Sequence, residues 1–266
     1  MSTDPPLYET IRYTLDGHVV TVTLNRPRFR NAIDSVMRLE LAHAVSSIRQ
    51  NRDIKVLVLA GTGGAFCSGG DIGSMGNDNR AEQARDRMVS LQGIVRDLLT
   101  LDRPIIAAVD GAAYGAGFGI ALTADLIFAS PRARFCLSFL RLGAVPDCGV
   151  FYTLPRMVGV SIAKQLAFST REFSADEARA LGIVSEIVPE EAIHGHAQDT
   201  AQNLARLPLA SLSMTKKGFN ASLDSSLDTM LELEAMGQGI ARSTEFHRQA
   251  VELFSGKGPA LYKGWK

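Results

Sequence analysis

Side chains that could hold a metal or a disulfide framework are scarce in this chain. Its three cysteines, Cys67, Cys136 and Cys148, show no CxxC spacing and read as reduced cytosolic thiols. Of its five histidines, only His194 and His196 stand close together. They fall two apart in a polar stretch, on opposite sides of any helix, and are expected at the surface, so no metal site is expected. Net charge is missing too, because 28 Lys and Arg balance 28 Asp and Glu. That balance argues against nucleic acid or an anionic membrane as the main partner. The most apolar stretch, Ile105 to Ala129, is cut by Asp110, Asp125 and its glycines, and fails as a membrane span. The opening residues, MSTDPPLYE, have no basic region, no apolar region and no run of arginines, so neither a secretory nor a transit signal is expected. The expected location is the cytoplasm. GxSxG, HExxH and GxxxxGK[ST] are absent. Gly115 to Gly119 (GAGFG) begins like a dinucleotide fingerprint, but Ile120 stands where Gly or Ala is needed and no acidic ribose partner follows a clear second strand.

What is present is a chain of 266 residues, 46% hydrophobic and 21% charged, enough to bury a sizeable core in one large domain or one and a half. Two glycine-bearing segments stand out. Gly61 to Ile72 (GTGGAFCSGGDI) follows the apolar run Val56 to Ala60, and Asp110 to Gly119 (DGAAYGAGFG) follows Ile105 to Val109. Each reads as a buried strand entering a loop that opens a helix. Small residues let a ligand approach the backbone, and a helix start offers free N–H groups with a partial positive charge. Two such loops converging on one oxygen would form an oxyanion hole from peptide groups alone.

The remaining pattern alternates strand and helix. His18 to Leu24 alternates as a strand, and Pro27 breaks the loop after it. Asp34 can cap a helix running to about Gln50, with Val36, Leu39, Leu41 and Val45 on or near one apolar face. Ala81 to Leu101 reads as a second helix, Leu126 to Ala129 and Ala133 to Phe135 as short strands, and Tyr152 to Ser169 as a helix broken near Gly159. Ser174 to Glu177 is a capping box, and Ile183 to Val188 a strand. Beyond Pro189 the pattern is helical to about Ser255, with breaks near Pro208 and Ser222. Residues 1–190 are therefore expected to be strand–helix units, and 191–266 a helical tail docked on the core or on a neighbouring subunit.

These landmarks, in this order and over almost the whole chain, resemble the enoyl-CoA hydratase/isomerase, or crotonase, superfamily. Leu24 to Ala32 (LNRPRFRNA) is similar to its early signature, Ala65 to Ile72 to its first oxyanion segment and Asp110 to Asp125 to its second. Phe173 to Ala178, Gly182 to Val184 and Pro259 to Tyr262 match later landmarks. The resemblance implies an α/β spiral of ββα units carrying an acyl-CoA site, with residues 191–266 as a C-terminal all-helical trimerisation region. It further implies a trimer or a dimer of trimers, and an acyl-CoA thioester as ligand, coenzyme A being part of the substrate rather than a cofactor. The oxyanion donors by position are the N–H groups of Gly70 and Ala116. Ala65 and Ser68, Gly69, Gly70, Asp71 and Ile72 are expected near the adenine end of CoA. Arg28 and Arg30 are placed either to meet its phosphates or simply as an exposed basic loop. Lys257 and Phe254 are candidates to close over it, in their own or a neighbouring subunit.

The departures from the family pattern are as informative. Hydratases of the family carry two glutamates, at places where this chain has Gly119 and Phe139. Asp110 and Asp125 fall where the family's aspartates are usually structural. Asp147, in Val145-Pro-Asp-Cys-Gly149 followed by Leu154-Pro-Arg156, resembles the isomerase branch, notably the epoxyphenylacetyl-CoA and dienoyl-CoA isomerases, in which an aspartate here moves the proton. The other role for Asp147 is a turn or helix-cap aspartate. Phe139, Leu140, Val145 and Gly119 are expected to line the acyl pocket. Isomerisation with Asp147 as proton carrier is the expected activity. Hydration, or thioester hydrolysis or dehalogenation through Asp147, is the alternative enzyme, and a non-catalytic acyl-CoA binder the alternative class.

Overall fold

Residues 7–74 and 81–265 are described in the structure, a computed structural model. The two strands that precede the glycine segments, β3 (Val56–Gly61) and β5 (Ile105–Val109), are buried along their whole length, as unbroken apolar runs in a parallel sheet must be. They are the middle of a six-stranded sheet. β1 (Ile11–Asp16) pairs antiparallel with β2 (Val19–Leu24), β2 runs parallel to β3, and β5 is followed by β7 (Leu126–Ala129) and β10 (Glu186–Ile187). A second sheet of four short strands lies in the order β4 (Ala65–Cys67), β6 (Ala112–Tyr114), β8 (Arg134–Cys136), β9 (Glu172–Ser174).

The expected α/β spiral of ββα units is present. Each of β3, β5 and β7 is followed within a few residues by a strand of the second sheet and then by a helix: α2 (Ala81–Leu99), α3 (Ala116–Ala121) and α4 (Val150–Val158). The first glycine segment differs from expectation. It holds β4 and then a single 3-10 turn, Ile72–Ser74, rather than opening an α-helix, whereas the second does open α3.

Capping residues set the helix starts. The Asp34 carboxylate accepts from the Met37 N–H at 2.8 Å and begins α1 (Ser35–Gln50). The buried face of α1 is Met37, Leu41, Ala44, Val45 and Ile48; Val36 and Leu39, expected there, are exposed, so the true stripe is anchored one position away. Gly159, at φ 79°, separates α4 from α5 (Val160–Ser169), and Ser174 accepts from Glu177 N–H to begin α6 (Ala175–Ala180). The tail contains α7 (Ile193–Ala205), α8 (Leu209–Ala221), α9 (Leu227–Arg242) and α10 (Glu245–Ser255). α7 belongs to the core: Ile193, Ala197, Ala201 and Leu204 cover the sheet face formed by Val19, Val56, Val58, Ile106 and Phe128. His196 is therefore not a free surface residue. Its ring stands edge-on to Phe128 at 4.8 Å, and its Nε2 lies 3.2 Å from Glu186. α9 and α10 bury none of their residues. No helix among the described residues is long and apolar enough to cross a membrane.

One charged side chain in the core has no sequence signal. Arg103 is fully buried. Its Nη1 donates to the carbonyls of Ile48, Asn51 and Ile54, and its Nη2 pairs with Asp102 at 2.8 Å, tying the end of α1 to the start of β5. Arg103→Met keeps the bulk and removes every donor, so the carbonyls lose their partner and Asp102 keeps only the exposed Arg52 at 3.0 Å. The expected loss is about 3–5 kcal/mol, read as a melting midpoint lower by roughly 10 °C. A shift within 2 °C or so in a calorimetric scan would show that water replaces these contacts at little cost.

Candidate active site

β4 and β6 run parallel, with Ala65 opposite Ala112 and Cys67 paired with Ala113, and this pairing brings the two glycine segments side by side. Two glycines make the approach possible. A Cβ on Gly117 would lie 2.4 Å from the Cys67 carbonyl oxygen, and one on Gly69 would lie 3.0 Å from that of Tyr114, with φ at Gly69 already +105°. The loop Asn25 to Ile33 clamps the first segment from outside. Asn31, fully buried, donates from Nδ2 to the carbonyls of Thr62 and Ala65 at 2.9 and 2.8 Å and accepts from Arg26 N–H at 2.8 Å. Asn31 went unassigned in the sequence; the only hint was its place in the early signature.

The two donors are presented differently. Ile33 forms an isolated parallel bridge with Gly70, in which Ile33 N–H donates to Gly69 O at 2.8 Å and Asp71 N–H donates to Ile33 O at 3.0 Å. A parallel bridge uses the groups flanking its central residue, so the Gly70 N–H is turned the other way. Ala116 is the first residue of α3, where N–H groups have no partner within the helix. Among the described residues neither N–H has a hydrogen-bond partner, and both residues line one cavity of about 570 Å³.

Asp147 lines the same cavity. Its carboxylate does not cap the following helix: the capping position before Val150 is held by Gly149. Its Oδ1 is buried without a hydrogen-bond partner. Burial pushes the Asp147 carboxyl above its ordinary value, and the Cys148 thiol beside it pulls part of that rise back. Among the described residues two other carboxylates line the cavity. Asp34 is engaged by the Met37 N–H and by Arg26 at 3.0 Å, and Asp86 is an exposed surface charge next to Arg85. Asp110 and Asp125 lie elsewhere, Asp110 bound by Ser130 and Arg132, Asp125 by the Ile105 N–H and Lys216.

The apolar wall departs from expectation. Phe139 lines the cavity, together with Ile33 before α1, Met88 and Leu91 of α2, and Leu142 and Ala144. Leu140 is exposed and stands outside the lining, and Val145, also exposed, lines instead an adjoining cavity that shares Asp147, Met88 and Leu91. Gly119 is outside it too, sealed beneath Cys148: a Cβ at 119 would lie 2.4 Å from the Cys148 Cβ. Leu91 was legible as an apolar position of a helix; its direction was not.

The CoA candidates also divide. Ser68, Gly69, Gly70 and Ile72 line the cavity and its rim. Ala65 is buried with its carbonyl bound by Asn31, and Asp71 is paired with Arg26 at 3.1 Å, so both hold the loop in shape. Arg28 and Arg30 are exposed on the neighbouring loop, where Ser68 N–H donates to Arg30 O at 3.0 Å. Lys257 is exposed in the turn that ends α10.

The sequence profile described as Enoyl-CoA hydratase/isomerase matches residues 14–265. The chain belongs to the enoyl-CoA hydratase/isomerase family. Among relatives of this family, it is 37% identical over 261 residues to a probable enoyl-CoA hydratase of Rhodobacter capsulatus, covering 97% of this chain and 99% of that one. It is 33% identical to the 1,2-epoxyphenylacetyl-CoA isomerase of Escherichia coli, covering 97% and 100%. A crystal structure of an enoyl-CoA hydratase/isomerase from Cupriavidus metallidurans superposes with a TM-score of 0.92 at 40% identity, over 98% of each chain.

Proposed function

We propose that this family member is an acyl-CoA double-bond isomerase in which Asp147 moves the proton. The observation that supports this reading best is the pairing of one carboxylate, whose Oδ1 is buried without a hydrogen-bond partner, with two unbonded N–H groups in one cavity. Bound to a 3-enoyl thioester, the Asp147 carboxylate takes the proton from C2. The C–H electrons move toward the thioester oxygen, and the N–H groups of Gly70 and Ala116 stabilise the dienolate. The Asp147 carboxylic acid then returns the proton at C4, leaving the double bond between C2 and C3. No metal or redox cofactor enters the proposal. In it, Ser68 to Ile72 hold the adenine end of CoA and Arg28 and Arg30 meet its phosphates, and the protein works in the cytoplasm. A trimer or dimer of trimers is proposed because α9 and α10 bury nothing and expose Leu227, Leu231, Met236, Ile240 and Phe254.

Hydration should be weak. Holding a water and handling the C2 proton needs two groups, and the partner places are a sealed glycine and an apolar Phe139. Incubation with 2-enoyl- and 3-enoyl-CoA followed by mass spectrometry should give a product of unchanged mass. Turnover that adds a water at rates on the order of 10³ s⁻¹, the top of the ordinary range, would instead establish the hydratase reading carried by the Rhodobacter relative's name.

A further inference from the structure

The base and the α3 oxyanion donor lie on different elements, and one residue bridges them. Cys148 follows Asp147 and has left-handed backbone, φ 50°, a conformation costly for a residue with a Cβ; Gly149 follows at φ 75°. Cys148 is 2% exposed. Its Cβ sits directly over Gly119, one turn along α3 from Ala116, with its carbonyl oxygen 3.1 Å from where a Cβ at 119 would be. The turn Asp147–Gly149 is closed by Val150 N–H donating to Asp147 O at 3.0 Å. Backbone strain of this kind persists only where the surroundings hold it, and here the Val150–Asp147 hydrogen bond and the seat on Gly119 are both part of those surroundings.

We infer that Cys148 is a positioning residue, whose contact with Gly119 sets Asp147 at its working distance from the donor on α3. This rests on the proposed role of Asp147. Among the described residues, the ionisable groups around that carboxylate are Cys148 on its own loop, Cys67 of β4 close to Cys148, Arg38 and Asp34 at the start of α1, and Asp86 of α2. The contact leaves no room for a side chain at 119: a Cβ there would lie 2.4 Å from the Cys148 Cβ, and Cys148 would have to withdraw by about 1 Å to restore an ordinary contact. A displacement of that size at a reacting group can cost about 10²-fold in rate.

The test adds bulk on one side of the contact and removes it from the other, measured as saturation kinetics and melting temperature on the same preparations, with Asp147→Asn alongside. Gly119→Ala pushes Cys148 away. Cys148→Gly removes the seat and relaxes the turn, and because it only deletes atoms it covers the case in which Gly119→Ala fails to fold. Each single variant is expected to lose at least tenfold in kcat, with KM for the acyl-CoA within about threefold, since the thioester donors are backbone groups. The double variant Gly119→Ala/Cys148→Gly, in which the methyl at 119 occupies space that the deleted CH2–SH group of Cys148 leaves, is expected to recover most of the loss. A folded Cys148→Gly enzyme with unchanged kcat overturns the inference, even if its melting temperature falls, because a packing role alone would do that. A double variant no better than the worse single overturns it too. Full activity in Asp147→Asn is a different failure, since it removes the base and not merely its seat.

Discussion

Asp147→Asn is expected to abolish isomerisation without harming the fold. The amide keeps the shape of the side chain and cannot accept the C2 proton, and loss of a general base costs about 10²–10⁴-fold. The fold should be unharmed or slightly firmer. Burial raises the Asp147 carboxyl in the folded protein, so folding favours its protonated form. Its charge therefore costs stability progressively as pH rises through the ordinary carboxylate value to the raised one, and that cost stays in place above it. Removing the charge relieves the cost at neutral pH. The same sign governs the wild-type rate: kcat/KM for a 3-enoyl-CoA should rise with pH through an acid limb above the usual aspartate range, because the base works ionised. Turnover and melting temperature on one preparation decide the matter. A lower melting temperature with unaltered turnover would make Asp147 a turn residue and direct attention to a binder without chemistry.

Ala116→Pro is expected to give the second large loss, by a route that spares the helix. Proline is well tolerated at the first position of a helix, where its missing N–H has no helical partner. Ala116 occupies that position in α3, so the substitution deletes the proposed donor and no helix hydrogen bond. One such donor contributes roughly 3 kcal/mol to the transition state, or about 10²-fold in rate. Gly70→Pro removes the other donor in the same way, since the bridge with Ile33 uses only the groups on either side of Gly70. A well-folded Ala116→Pro protein with wild-type turnover would place the thioester oxygen elsewhere.

The parts of this architecture legible in the sequence were those set by local chemistry. Asp34 and Ser174 announced their helices because a cap is a contact within three residues, and β3 and β5 announced themselves as apolar runs buried on both faces. The three-residue strands β4 and β6 did not, because each is too short for any period to show and lies inside a glycine segment. β1 escaped because most of its residues are exposed at the sheet edge. At the site, the motifs located Gly70, Ala116 and Asp147 on the chain, and the parallel pairing of the second sheet put them round one cavity. The direction of side chains on the loop from Leu140 to Cys148 is a long-range outcome. Leu140 and Val145 point out and Cys148 points in, although all three are apolar.

The contact between Gly119 and Cys148 also bears on what this chain could evolve into. A glutamate at 119, as the family's hydratases have, meets the Cys148 Cβ before its carboxylate can reach any cavity. Moving Cys148 aside moves the loop that carries Asp147. In the proposed reading, a glutamate at 119 and Asp147 as base therefore compete for the same stretch of backbone.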